Sequence, residues 1–139
     1  MISPAVPRRF LLLAPLILLA GCAPAGNTGV NTGHFQGDSK AVAQVLSDFS
    51  DAASHKDGKR ACARLLASDL VHRLGPRCAQ VMKDQFDDAD TFKLDVQSIG
   101  VNGDTATARV SSDVNGDKTP ATLTLKREAG GWRLAGLGR

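Results

Sequence analysis

Residues 92–103 read Phe92-Lys93-Leu94-Asp95-Val96-Gln97-Ser98-Ile99-Gly100-Val101-Asn102-Gly103. Phe92, Leu94 and Val96 alternate with Lys93, Asp95 and Gln97, the period of two that a strand with one buried face requires. Ile99 and Val101 continue on the opposite parity, which predicts a bulge near Ser98. Asn102-Gly103 then supplies a hairpin turn, because both residue types accept positive φ at little cost. The pattern repeats downstream. Ala106, Ala108, Val110 and Val114 alternate with Thr105, Thr107, Arg109 and Asp113 before a second turn at Asn115-Gly116. Leu123 and Leu125 alternate with Thr122, Thr124 and Lys126, Gly130-Gly131 forms a third turn, and Trp132 and Leu134 open the last run. Four runs joined by three turn signals predict an antiparallel meander.

Upstream of Phe92 the apolar period is that of a helix. Val42, Val45, Leu46, Phe49, Ala52 and Ala53 form one face, with Lys40, Gln44, Ser47, Asp51 and Ser54 opposite. Asp38 or Ser39 is the expected cap, and Asp57-Gly58 predicts a stop near His55. Burying Val42, Val45, Leu46 and Phe49 is worth roughly 1.5–3 kcal/mol each before chain entropy is subtracted. Lys59 to Leu66 reads as a second, shorter helix with Cys62, Leu65 and Leu66 inward. Ser68-Asp69 caps a further turn carrying Leu70, Val71 and Leu74. Gly75-Pro76 ends it, and Pro76 suits the first turn of a helix running to about Phe86. That helix offers Cys78, Val81, Met82 and Phe86 as apolar positions, and Asp87-Asp88-Ala89-Asp90 is a polar break. Helices first and a meander second is the α+β pattern, with N-terminal helices packed on a curved antiparallel four-stranded sheet.

The chain has 139 residues, enough for one domain plus extras. It carries 17 Lys and Arg against 14 Asp and Glu. Residues 1–21 hold Arg8 and Arg9 and no acid, so without them 15 basic side chains face 14 acidic ones. The remaining charges are interspersed, and the clustered Lys/Arg of a nucleic-acid footprint is absent. No phosphate-cradling glycine loop or nucleophile elbow follows residue 22.

The N-terminus reads as an address. Arg8-Arg9 precedes an apolar run from Phe10 to Leu19, interrupted by Pro15. Ten residues at about 1.5 Å each fall well short of the roughly 30 Å of a bilayer core, so the run suits a signal-peptide core. Leu19-Ala20-Gly21-Cys22 closely resembles the lipobox of bacterial lipoproteins. The resemblance implies diacylglyceryl attachment to Cys22, cleavage before it, and stable anchoring, since two acyl chains hold where one does not. It places the protein on the extracytoplasmic face of a membrane. Arg8-Arg9-Phe10-Leu11 also resembles a twin-arginine signal, departing from it in lacking a residue between the arginines and Phe10. Residues 23–37 hold four glycines, one proline and no charge, the composition of a flexible tether. His34 lies in it, and Phe35 is placed to dock on the domain edge. The expected organisation is signal peptide 1–21, anchor and tether 22–38, and domain 39–139.

The helix-then-meander order resembles the nuclear transport factor 2-like (cystatin-like) superfamily. So does the ending Leu125-Lys126-Arg127-Glu128-Ala129-Gly130-Gly131-Trp132-Arg133-Leu134. With the lipobox, the chain is similar to small actinobacterial lipoproteins of that superfamily. The resemblance implies a cone-shaped cavity between the long helix and the curved sheet. Some members use an Asp or His there as general base, with Tyr or a protonated Asp stabilising an oxyanion. This chain has no Tyr, which removes the tyrosine version. Asp48, Asp51, His55, His72 and Asp95 remain as candidates, each with an ordinary reading as a solvated or structural group. The expected pocket is Phe49, Asp48, His55, Arg109 and Trp132, with Arg109 as the anion contact.

Lipidation of Cys22 leaves Cys62 and Cys78. In an oxidising compartment they read as a disulfide. A zinc site from Cys62, Cys78, His55 and His72 is the other arrangement, unsupported by any Cys-x-x-Cys or His-x-x-x-His spacing. The expectation is a non-catalytic, membrane-anchored lipoprotein that binds a small apolar ligand or an envelope protein, with no cofactor, metal or nucleic acid. The alternative is a small isomerase, dehydratase or cyclase using an Asp or His in the cone.

Overall fold

The computed structural model describes residues 32–138. Cys22, the signal segment and most of the tether lie outside the described residues. After a 3-10 turn at Thr32–His34, helix α1 spans Gly37–Ser54. It starts two residues before the expected boundary at 39. Gln36 is its N-cap and offers no side-chain hydrogen bond. Asp38 does not cap it either, because its carboxylate lies 2.8 Å from Arg127 Nη2. Val42, Leu46, Phe49, Ala52 and Ala53 are buried, as the periodicity requires. Ser47 departs from the expectation: it stands on the nominally polar side yet is buried.

Helix α1 ends at the expected place by a different device. Asp57 N donates to Ala52 O (2.8 Å) and Lys56 N to Ala53 O (3.1 Å). This pair is the Schellman termination, with Lys56 in the left-handed position at φ 57°. Asp57-Gly58 is therefore not the turn itself. Asp57 caps a short helix α2, Gly58–Arg60, by accepting from Arg60 N at 2.9 Å. The chain then widens into a π turn, Ala61–Leu65. Helix α3 spans Ser68–Leu74, a 3-10 turn follows at Gly75–Arg77, and helix α4 spans Cys78–Asp87. Cys62 and Cys78 form a disulfide across a Cα–Cα distance of 6.2 Å, tying the π turn to the start of α4. Both thiols that a zinc site would need are consumed by that bond.

Strands β1 (Phe92–Asn102), β2 (Thr105–Val114), β3 (Asp117–Glu128) and β4 (Gly131–Gly136) form one antiparallel sheet in sequence order. Val96 pairs with Val110 and Ser98 with Arg109, so Gln97 is the extra residue of the expected bulge. Asn115 and Gly116 both take positive φ, as a type I′ turn demands. The first hairpin is displaced by one residue: Asn102 pairs with Thr105, leaving Gly103-Asp104 as the loop. The third shifts likewise, Glu128 pairing with Gly131. Strand β4 pairs with β3 only from Thr124 onward, so the first half of β3 is a sheet edge. Pro120, which has no N–H for a ladder bond, sits in that half.

The inward parity of the strands meets the helices, on β2 as far as Val110. Ala106, Ala108 and Val110 of β2 stand opposite Leu125, Leu123 and Ala121 of β3. Helix α1 packs chiefly on β1. Leu46, Val42, Val110, Leu125 and Leu134 are the largest fully buried side chains. Ala67 N donates to Leu134 O (2.7 Å), stitching the segment before α3 to β4. Among the described residues no helix is long and apolar enough to cross a membrane.

Candidate functional site

Strands β2 and β3 run past the end of the helical layer. On β2 the inward parity continues from Val110 to Ser112 and Val114, which the helices do not cover. The result is a cleft of about 320 Å³. Phe49 of α1, Met82 and Phe86 of α4, and Phe92 and Leu94 of β1 form one wall. Val110, Ala121 and Leu123 form the sheet side, and Leu137 closes the C-terminal edge. The rings of Phe86 and Phe92 meet Phe49 edge to face, with centroids 5.7 Å and 6.1 Å away. Such contacts hold the aromatic wall in one arrangement.

The polar lining is sparse: Gln85, Asp88 and Ser112. Asp88 is the cleft's one ionisable lining residue and lies at its exposed rim. Its neighbours are engaged elsewhere: Asp84 accepts from Gln80 Nε2 at 2.6 Å, and Asp87 pairs with Lys83. That pairing raises the Lys83 ammonium above its ordinary value. Lys56 Nζ donates to the carbonyl oxygens of Phe86 and Ala89, at the end of α4 and just beyond it. The ammonium adds a charged donor to the Phe86 carbonyl, which already accepts from Ala89 N at 3.2 Å, and another to the Ala89 carbonyl. Lys56 thus holds the rim without lining the cleft; it opens on a separate depression with Ser54, Asp90, Thr91, Phe92 and Lys93.

Of the five expected pocket residues, the cleft contains Phe49 alone. Asp48 follows the other face of α1, where its Oδ1 lies 3.4 Å from Arg60 Nη2. His55 is exposed, with Nδ1 2.9 Å from the Asp51 carbonyl oxygen. Arg109 has the outward parity of β2 and lines a shallow depression on the opposite sheet face with Gln97, Pro120 and Thr122. Trp132 is inward and buried, but at the β4 end of the sheet, where Arg127 lies 4.7 Å above its ring. Asp51, His72 and Asp95 are exposed and outside the cleft. Asp88, Met82, Phe86 and Leu137 were not anticipated as lining residues. The burial of Ala89 within an acidic run is the signal that this segment folds onto the domain.

A second polar cluster is structural. Glu128 accepts from Ser68 N and Ser68 Oγ, both at 2.9 Å, capping α3 from the sheet. The backbone bond from Ser68 holds the Glu128 carboxyl below its ordinary value. Lys126, hydrogen-bonded to Asp69, lowers that carboxyl too, and its own ammonium is raised in turn.

A family model described as "Putative lumazine-binding" matches residues 31–136. The chain belongs to this family. Solved structures of the nuclear transport factor 2-like class share its fold. One is described as a "Putative NTF2-like transpeptidase" from Campylobacter jejuni. It is 14% identical, with a TM-score of 0.50, over 66% of this chain and 94% of that one. Another is described as a "putative dehydratase from the NTF2-like family" of Streptomyces avermitilis. It is 13% identical, with a TM-score of 0.52, over 70% of this chain and 90% of that one. No curated protein matches the chain. The helix-then-meander architecture is the α+β fold of these nuclear transport factor 2-like structures.

Proposed function

We propose that this family member is a non-catalytic lipoprotein, anchored through Cys22 to the outer face of a cell membrane, whose domain binds a small apolar ligand in the Phe49–Phe86–Phe92 cleft. The observation that carries the reading is the lining: three aromatic rings and aliphatic walls around about 320 Å³, with one carboxylate at the rim. That volume lies at the small end of ligand pockets, and an apolar interior with a few polar groups is their ordinary chemistry. The family's description as lumazine-binding supports a ligand role. Asp48 and His55, the bases on which an isomerase, dehydratase or cyclase reading relied, stand outside the cleft. An envelope protein docking by apolar contact is disfavoured too, since Leu137 is the one large hydrophobic side chain exposed among the described residues.

The anchor rests on Leu19-Ala20-Gly21-Cys22. Native and denaturing mass spectrometry of the protein extracted from its membrane tests both halves. The expected result is an acylated Cys22 together with a small apolar mass that denaturation releases. An unmodified Cys22 refutes the anchor. A bare native mass, with no uptake of apolar probes afterwards, refutes the ligand role.

A further inference from the structure

We infer that the cleft selects by charge: its ligand is an apolar body ending in a cationic, amine-type group, and the corresponding carboxylate is rejected. The inference rests on the ligand-binding reading above and adds the chemistry of the head group. No Lys, Arg or His lines the cleft, so an anionic head finds no counter-charge there. Asp88 lines its rim, and its carboxylate makes no hydrogen bond or ion pair among the described residues. This distinguishes it from Asp84 and Asp87, which are held by Gln80 and Lys83.

Helix α4 ends at Asp87, beside the rim, and the carbonyl end of a helix carries partial negative charge. Lys56 donates to two carbonyls of that segment and offsets part of this charge, but it faces a different depression and does not line the cleft. Phe49, Phe86 and Phe92 supply the apolar wall for the body of the ligand. A ligand with its apolar portion against these rings would bring its head to the exposed rim, where Asp88 is the available partner.

Octylammonium, octanol and octanoate share one apolar body and differ in head charge. Each is titrated into the purified protein and into Asp88→Asn by calorimetry, at low and at physiological salt. The expected result is that octylammonium binds about tenfold tighter than octanoate at low salt, with octanol between them. Asp88→Asn should shrink that ratio to about twofold, and added salt should shrink it likewise. Equal binding of octylammonium and octanoate, or a preference that survives Asp88→Asn, overturns the charge inference while octanol binding keeps the ligand reading intact. If octanol also fails to bind, the ligand reading falls and the charge inference falls with it.

Discussion

The ammonium of Lys56 donates to the main-chain carbonyl of Phe86, whose ring lines the cleft. A residue in a left-handed helix terminus thereby anchors the end of another helix and the wall of the site. Two terms oppose each other at position 56. The left-handed backbone costs a residue with a Cβ roughly 1–2 kcal/mol, and the charged hydrogen bonds return a similar amount. Lys56→Ala keeps the first and loses the second, so it should destabilise by about 1–2 kcal/mol. Lys56→Gly loses the bonds but relieves the backbone, and should lie roughly 1 kcal/mol above Lys56→Ala in denaturant unfolding. Both should weaken binding of an apolar probe, because both release the rim.

Gly58 is fixed by contact rather than by its dihedrals. A Cβ placed there would stand 2.1 Å from the Ala79 carbonyl oxygen and 2.7 Å from Lys83 N, both backbone atoms of α4. Neither can swing aside as a side chain could. Gly58→Ala should therefore cost about 1–3 kcal/mol or more, read as a lower unfolding midpoint, although alanine is the better helix former.

The Cys62–Cys78 bond closes a loop with a sequence separation of 16. Chain-entropy arguments assign on the order of 3 kcal/mol to a loop of that size. Reduction, or the Cys62→Ser/Cys78→Ser double variant, should lower the melting temperature in step with that loss. The cleft lies at the other end of α4, so probe binding at low temperature should survive. Equal melting of oxidised and reduced protein would contradict the first expectation.

Glu128 and Asp69 both have carboxyls held below their ordinary values of 4.5 and 3.8. A depressed folded-state value means that the unfolded chain binds the proton more readily. The stabilisation is therefore complete above the ordinary value and is lost as pH falls through the lower folded one. Acid should loosen α3 from the sheet in that window, below about 4.5 for Glu128. Glu128→Gln should flatten the slope of melting temperature against pH there. An unchanged slope would remove Glu128 from the account.

The sheet was legible in the sequence because its period of two resumes after the Gln97 bulge, and because Asn-Gly and Gly-Gly mark the turns to within one residue. The wall residue Phe49 was legible on the helical repeat. Asp48 was a misleading neighbour: adjacent in sequence, it lies about 100° further round the helix and faces Arg60 instead. Arg109 and Trp132 show the two ways strand positions escape a site, one by parity and one by distance along the sheet. The role of Lys56 has no local signature, since a left-handed lysine at a helix end is selected by carbonyls some thirty residues away. Asp88 hid in a run that reads as a polar break, where only the burial of Ala89 reveals that the segment packs.

Ring-proton NMR during an octanol titration tests most directly whether the aromatic cleft takes an apolar ligand. The chain has five Phe and one Trp, so each ring is a separate reporter. Binding in the cleft should give saturable shifts at Phe49, Phe86 and Phe92, with Phe35 and Trp132 unmoved. Saturation without movement of those three rings, or shifts centred on Trp132, would contradict it.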